Sequence, residues 1–128
     1  MGKITVLFLD VENKAKEFKK LEIEDELKSY QETLRVDCID IVRRKIGARE
    51  YCIVVDDEGL LKQRPICSSE DFRGLPALFG NLIITGLHTR AGELTSLSDE
   101  DIENIKKHLL TRFSLWLKGE YKRLRLSI

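Results

Sequence analysis

Asp10 closes an apolar run, and Asn13 follows three residues later in "LFLDVEN". A metal-dependent nuclease needs a first carboxylate at such a strand end. A hydrolytic Mg²⁺ site needs further acidic groups converging from other strand ends, because one carboxylate cannot hold the ion. Asp56, Asp57 and Glu58 form a later acidic cluster, but it reads as a hairpin tip and lacks the ligand spacing of a calcium loop. Asp10 thus has two readings. It is an alternative catalytic residue, or it ends a strand and, with Asn13, shapes the turn that follows.

Other reactive side chains are sparse. His88 and His108 are the only histidines, and neither has zinc-ligand spacing with Cys38, Cys52 or Cys67. Cys38 and Cys52 fall in strand-like stretches and read as small core residues. Cys67, beside Ser68 and Ser69 in a loop-like stretch, is the cysteine with a case for reactivity. No phosphate-binding glycine loop and no G-x-S-x-G elbow occurs. No catalytic constellation, metal or cofactor is expected.

The remaining chemistry is charge. Arg43, Arg44 and Lys45 stand together, with Arg49 close by. Lys118, Lys122, Arg123 and Arg125 surround Tyr121 near the C-terminus. Clusters of this kind contact phosphates or an acidic protein face. Phe72 and Arg73 add a third candidate in the loop from Pro65 to Phe79. Lys plus Arg equals Asp plus Glu at 22 each. That balance argues against a generic nucleic-acid binder, which usually carries a basic surplus, and against a whole-protein acidic mimic of DNA. It leaves room for local patches. The odd cysteine count and the lack of a C-x-x-C pair point to reduced thiols in the cytoplasm, and no membrane-spanning run is present.

The elements that would position these residues follow from periodicity. Ile4 to Val11 reads as a buried strand, and "AKEFKKLEI" as its hairpin partner. Ile23, Leu27, Tyr30 and Leu34 share one face of a helix over 24–34, with Glu24, Asp25 and Glu26 in its first turn. Strands near 36–45, 51–56 and 60–63 predict a meander, with Gly59 left-handed in the last turn. Residues 65–80 read as an irregular loop, and 81–87 as a strand. Ser98, with Asp101 three residues on, opens the last helix. Ile102, Ile105, Leu109, Phe113 and Trp116 keep helical spacing up to Gly119, where the helix should stop. Leu124, Leu126 and Ile128 alternate as in an edge strand or an arm on a partner. The expected fold is one α+β domain over 1–128: a mostly antiparallel sheet with one short helix and one long C-terminal helix packed on it. Residues 112–128 would form a basic extension.

The segments "VVDDEGLLKQRPICSS", "LFGNLIITGL" and "GELTSLSDEDIENI" resemble a family of small uncharacterised proteins, known only as a domain of unknown function, from Gram-positive bacteria, their phages and conjugative elements. Asp57-Glu58-Gly59, Pro65, Gly80, Gly86 and Ser96 to Ile102 carry the likeness, over about residues 4–108. The chain departs from the family pattern in the loop after Pro65, which lacks the usual Asn, and in the basic segment from Arg112 onward. The family offers no catalytic residues to carry over. Its mobile-element setting implies an accessory protein that inhibits or modulates a host defence machine, such as a CRISPR or restriction nuclease, by direct binding. The expected partner is a host or element-encoded protein, a nucleic-acid-loaded nuclease among the candidates. Its binding surface would comprise Arg43, Arg44, Lys45, Phe72, Arg73, Lys118, Tyr121, Lys122, Arg123 and Arg125. Two alternatives stand beside it: a metal-dependent nuclease using Asp10, and a homodimeric subunit built through the terminal helix and tail.

Overall fold

A computed structural model describes residues 2–11, 18–61, 65–116 and 118–127. Among the described residues nine strands form two sheets. The first has five antiparallel strands in the order β2-β1-β7-β4-β3: β1 is Lys3–Leu9, β2 Lys19–Glu24, β3 Ile39–Ile46, β4 Arg49–Asp56 and β7 Leu82–Thr85. The second has four strands in the order β6-β5-β9-β8: β5 is Cys67–Glu70, β6 Pro76–Phe79, β8 Leu109–Ser114 and β9 Gly119–Arg125. Helix α1 is Leu27–Leu34 and α2 is Asp99–Lys107.

The central strands β1, β4 and β7 carry unbroken apolar runs, Val6–Leu9, Tyr51–Val55 and Leu82–Ile84, because both faces of the first sheet are covered there. Side chains on opposed antiparallel residues share a face. Phe8, Ile83 and Val54 therefore point one way, where Tyr30 and Leu34 of α1 close over them. Leu7, Ile84 and Ile53 point the other way, into a larger core completed by Ile102 and Ile105 of α2 and by Leu78, Leu124 and Leu126 of the second sheet. The molecule is layered: α1, the five-stranded sheet, then α2 with the four-stranded sheet.

This architecture overturns the expected α+β fold. Among the described residues the chain is mostly β in two sheets with two short helices, and Leu109–Ser114 and Gly119–Arg125 are strands in place of the expected long C-terminal helix. Helix α2 begins as expected: the Ser98 hydroxyl accepts from the Asp101 N–H, and the Asp101 carboxylate accepts from the Ser98 N–H. It ends at His108, and the chain continues as β8. Leu109 and Phe113 are four apart, which is one helical turn and also two strand periods, so this spacing cannot separate the two states. Pairing with β9 from Leu109↔Leu124 to Ser114↔Gly119 decides for the strand. Gly119 opens β9 rather than capping a helix. β9 is no edge strand: it lies between β5 and β8, parallel to β5.

Smaller corrections have equally local causes. The acidic run Glu24 to Glu26 precedes α1 instead of filling its first turn. The supposed loop after Pro65 holds the hairpin β5–β6, with its bend at Gly74 (φ 82°). Gly59 begins a short 3₁₀ turn, Gly59–Leu61, and is not left-handed; a Cβ there would lie 2.5 Å from the Phe79 carbonyl oxygen. Asn13, residues 62–63 of the expected third meander strand, and Ile128 lie outside the described residues. Among the described residues no helix is long and apolar enough to cross a membrane.

Candidate functional site

Strand β9 alternates. Leu124 and Leu126 enter the core, so Tyr121, Arg123 and Arg125 stand on the outer face of the second sheet. The opposed residues on that face are Arg112 (across from Tyr121) and Glu70 (across from Arg125). Glu70 is only 2% exposed. Its carboxylate takes a hydrogen bond from Arg112 Nη2, and its other oxygen lies 3.6 Å from Arg123 Nη1. A carboxylate this deep requires such cations, because burying it alone is prohibitive. Arg123 is held from a second side: its guanidinium carbon sits 5.3 Å from the Tyr121 ring centre, and Nη2 donates to the Tyr121 hydroxyl.

The 71–75 bend borders this face. The Asp71 carboxylate accepts from the backbone N–H of Arg73 and Leu75 and pairs with the Arg73 guanidinium at 3.1 Å. Desolvation pushes the Asp71 pKa up, but these hydrogen bonds outweigh it and hold the value below the ordinary aspartate range. Arg125 Nη2 donates to the Phe72 carbonyl at 2.6 Å, and the Phe72 ring stays exposed with Arg73 over it. Phe72, Arg73, Tyr121, Arg123 and Arg125 are thus brought together. Lys118 and Lys122 are set apart from them. Lys118 sits at the tip of the β8–β9 hairpin (φ 54°), and Lys122 faces the other way, donating to the Thr111 hydroxyl. Near the same tip, Phe113, Leu115 and Trp116 are 65%, 83% and 59% exposed.

The other basic cluster meets the C-terminal segment. Ser127 N–H donates to the Lys45 carbonyl at 2.8 Å. Arg43, Arg44, Lys45, Glu50 and Ser127 line a shallow depression of about 560 Å³. Arg43 and Glu50 form an exposed ion pair there. Ser127, two residues beyond Arg125, is therefore seated on the strand that carries Arg43, Arg44 and Lys45.

Asp10 lies elsewhere, and its carboxylate pairs with Arg35 at 2.9 Å, tying the end of β1 to the left-handed residue that ends α1. Among the described residues no three His, Cys, Asp or Glu side chains gather to hold a metal ion. Cys67 is buried in β5, with its thiol donating to the Ser69 carbonyl; burial raises its pKa, against the pull of Arg123. Cys52 is fully buried 3.4 Å from His88 Nδ1, and burial likewise raises its pKa and keeps the unreactive thiol form. Sequence reasoning missed Glu70 and Arg112, whose pairing spans 42 residues and has no local signal. It also missed the anchor of α2 on the β3–β4 hairpin, where Asp101 accepts from Tyr51 and Arg49, and Asn104 donates to the Ile46 carbonyl.

Residues 4–110 match the family described as Domain of unknown function (DUF3846). The chain belongs to that family. No curated protein and no solved structure matches the chain. The DUF3846 match ends inside β8, yet β9 is an inner strand of the second sheet, with Leu124 and Leu126 fully buried. The residues that carried the resemblance have structural duties: Gly80 turns the chain between β6 and β7 at φ 85°, and Ser98 caps α2. Gly86 admits the Thr95–Ser96 segment where a Cβ would meet Thr95 Oγ1 at 2.2 Å.

Proposed function

We propose that this protein acts by binding, and that its working surface is the outer face of the second sheet together with the adjoining Arg43–Lys45 depression. The observation that carries this reading is the fixed geometry of the arginines. Arg112 and Arg123 are clamped by Glu70, Arg123 by Tyr121 as well, and Arg125 by the Phe72 carbonyl. Ordering these long side chains in advance lowers the entropy lost when a partner docks. Residues 109–128 hold five cations, Arg112, Lys118, Lys122, Arg123 and Arg125, against the single acid Glu120. The neutral chain therefore presents a locally positive segment, suited to an acidic or phosphate-bearing partner.

The biological setting we propose is a phage or other mobile element. There the protein would inhibit or modulate a host defence machine, such as a CRISPR or restriction nuclease, in the cytoplasm. A plating assay tests this. Expressed in a host with an active CRISPR or restriction system, the wild-type protein should restore plating of a targeted phage, and an Arg43→Glu/Arg44→Glu/Arg125→Glu variant should not. Equal protection by both, or none by either across the systems tried, would contradict the proposal. The catalytic alternative makes a different demand. Nucleic-acid cleavage by the pure protein with Mg²⁺ or Mn²⁺, abolished in Asp10→Ala, would replace binding with hydrolysis.

A further inference from the structure

The two sheets end in four edge strands, and three carry the usual guards against edge-to-edge pairing. β2 mixes Lys19 and Lys20 with Glu22 and Glu24; β3 carries Asp40, Arg43, Arg44 and Lys45; β6 is four residues long and contains Pro76. β8 differs. It is six residues, "LLTRFS", with one charge, and among the described residues no strand pairs with its outer edge.

Its hydrogen-bonding parity is fixed by one contact. Arg125 N–H donates to the His108 carbonyl, so by antiparallel alternation Leu110, Arg112 and Ser114 bond to β9. Leu109, Thr111 and Phe113 direct their N–H and C=O groups outward. Among the described residues these outward groups meet one long contact, 3.4 Å, from the Arg112 side chain to the Thr111 carbonyl.

From this we infer that β8 is a dimerisation edge, pairing antiparallel with β8 of a second copy about a two-fold axis through Thr111. An axis normal to the sheet keeps corresponding faces together, so opposed residues must have the same parity. Centring on Thr111 meets that condition and engages all three outward residues. Thr111 then faces Thr111 of the other copy, Leu109 faces Phe113, and Leu110 faces Arg112. The Leu–Phe pair covers a phenylalanine that is 65% exposed in the single chain, and opposed threonines are favourable cross-strand neighbours. Centring on Arg112 instead would oppose two guanidinium groups. The contact is isologous and closed, and gives a continuous eight-stranded sheet.

Sedimentation of the full chain tests this. The wild type should run at twice the protomer mass of 14.8 kDa. Phe113→Lys, an exposed site outside the core, should run as a folded monomer. Thr111→Pro, which removes one outward N–H and spares the bonds to β9, should do the same. In a Cys38→Ser background, Thr111→Cys should be linked into a dimer by a short bis-maleimide, whereas Glu120→Cys should not. A wild type monomeric at every concentration, a dimer indifferent to Phe113→Lys, or absence of linking at position 111 would overturn the inference. The measurement needs no host partner, so its outcome is independent of the plating assay.

Discussion

Glu70 is the residue on which the outer face depends. Its carboxylate is almost wholly buried between two guanidinium groups. Removing one member of such a set leaves an uncompensated charge. Glu70→Gln should destabilise the fold by about 3 kcal/mol, near the low end for buried pairs because Arg112 keeps some access to water. Urea unfolding followed by circular dichroism checks this; a loss under about 1 kcal/mol would mean that the arginines hold their places without it. Asp101 sets a pH dependence. Desolvation pushes its pKa up, but hydrogen bonds from the Ser98 backbone and hydroxyl, from Arg49 and from Tyr51 prevail and hold it below 3.8. A depressed carboxylate stabilises fully above its unfolded pKa, and the contribution disappears as pH falls through the folded value. Thermal stability should therefore drop below about pH 4, and Asp101→Asn should flatten that drop. Asp101→Ala should cost about 1 kcal/mol at neutral pH through the lost cap.

Among the elements, the first hairpin, the strands β4 and β7 and the start of α2 are legible from the sequence. Their signals are local: unbroken apolar runs, and Ser98 with Asp101 at capping distance. β5, β6 and β8 are not legible. Cys67–Glu70 is polar in composition yet buried, because its neighbours come from β9 far along the chain. β8 shows apolar residues four apart, which a helix and a strand share. The second sheet is thus assembled by long-range pairing, and no window of sequence contains it. Gly86 makes an element-scale prediction. Its Cβ would collide with Thr95 Oγ1 at 2.2 Å and approach the Ser96 carbonyl at 3.0 Å. Gly86→Ala should therefore cost about 1–3 kcal/mol, read as a lowered urea midpoint, whereas Gly92→Ala should cost only the strain of putting a Cβ on its left-handed backbone, since no atom lies within 4 Å.

At the scale of the whole molecule, the candidate surface exists because β9 inserts between β5 and β8. That insertion places Arg123 beside Glu70 and seats Ser127 on Lys45. The basic clusters are readable in the sequence as clusters; the seating of Ser127 on β3 is not, because it depends on a backbone hydrogen bond across 82 residues. Neutrality of the whole chain and positivity of one segment coexist because the acids are spent elsewhere, as in the Glu22 and Glu24 edge of β2 and the Asp99–Asp101 turn of α2. The direct measurement is affinity capture from the host at low and high salt, with wild type and with Arg43→Glu/Arg44→Glu/Arg125→Glu, each shown to be folded. The expected result is one partner enriched by the wild type, released by salt, confirmed by binding of the two purified proteins, and lost in the triple variant. Equal capture by the triple variant would place the binding surface elsewhere and contradict the reading.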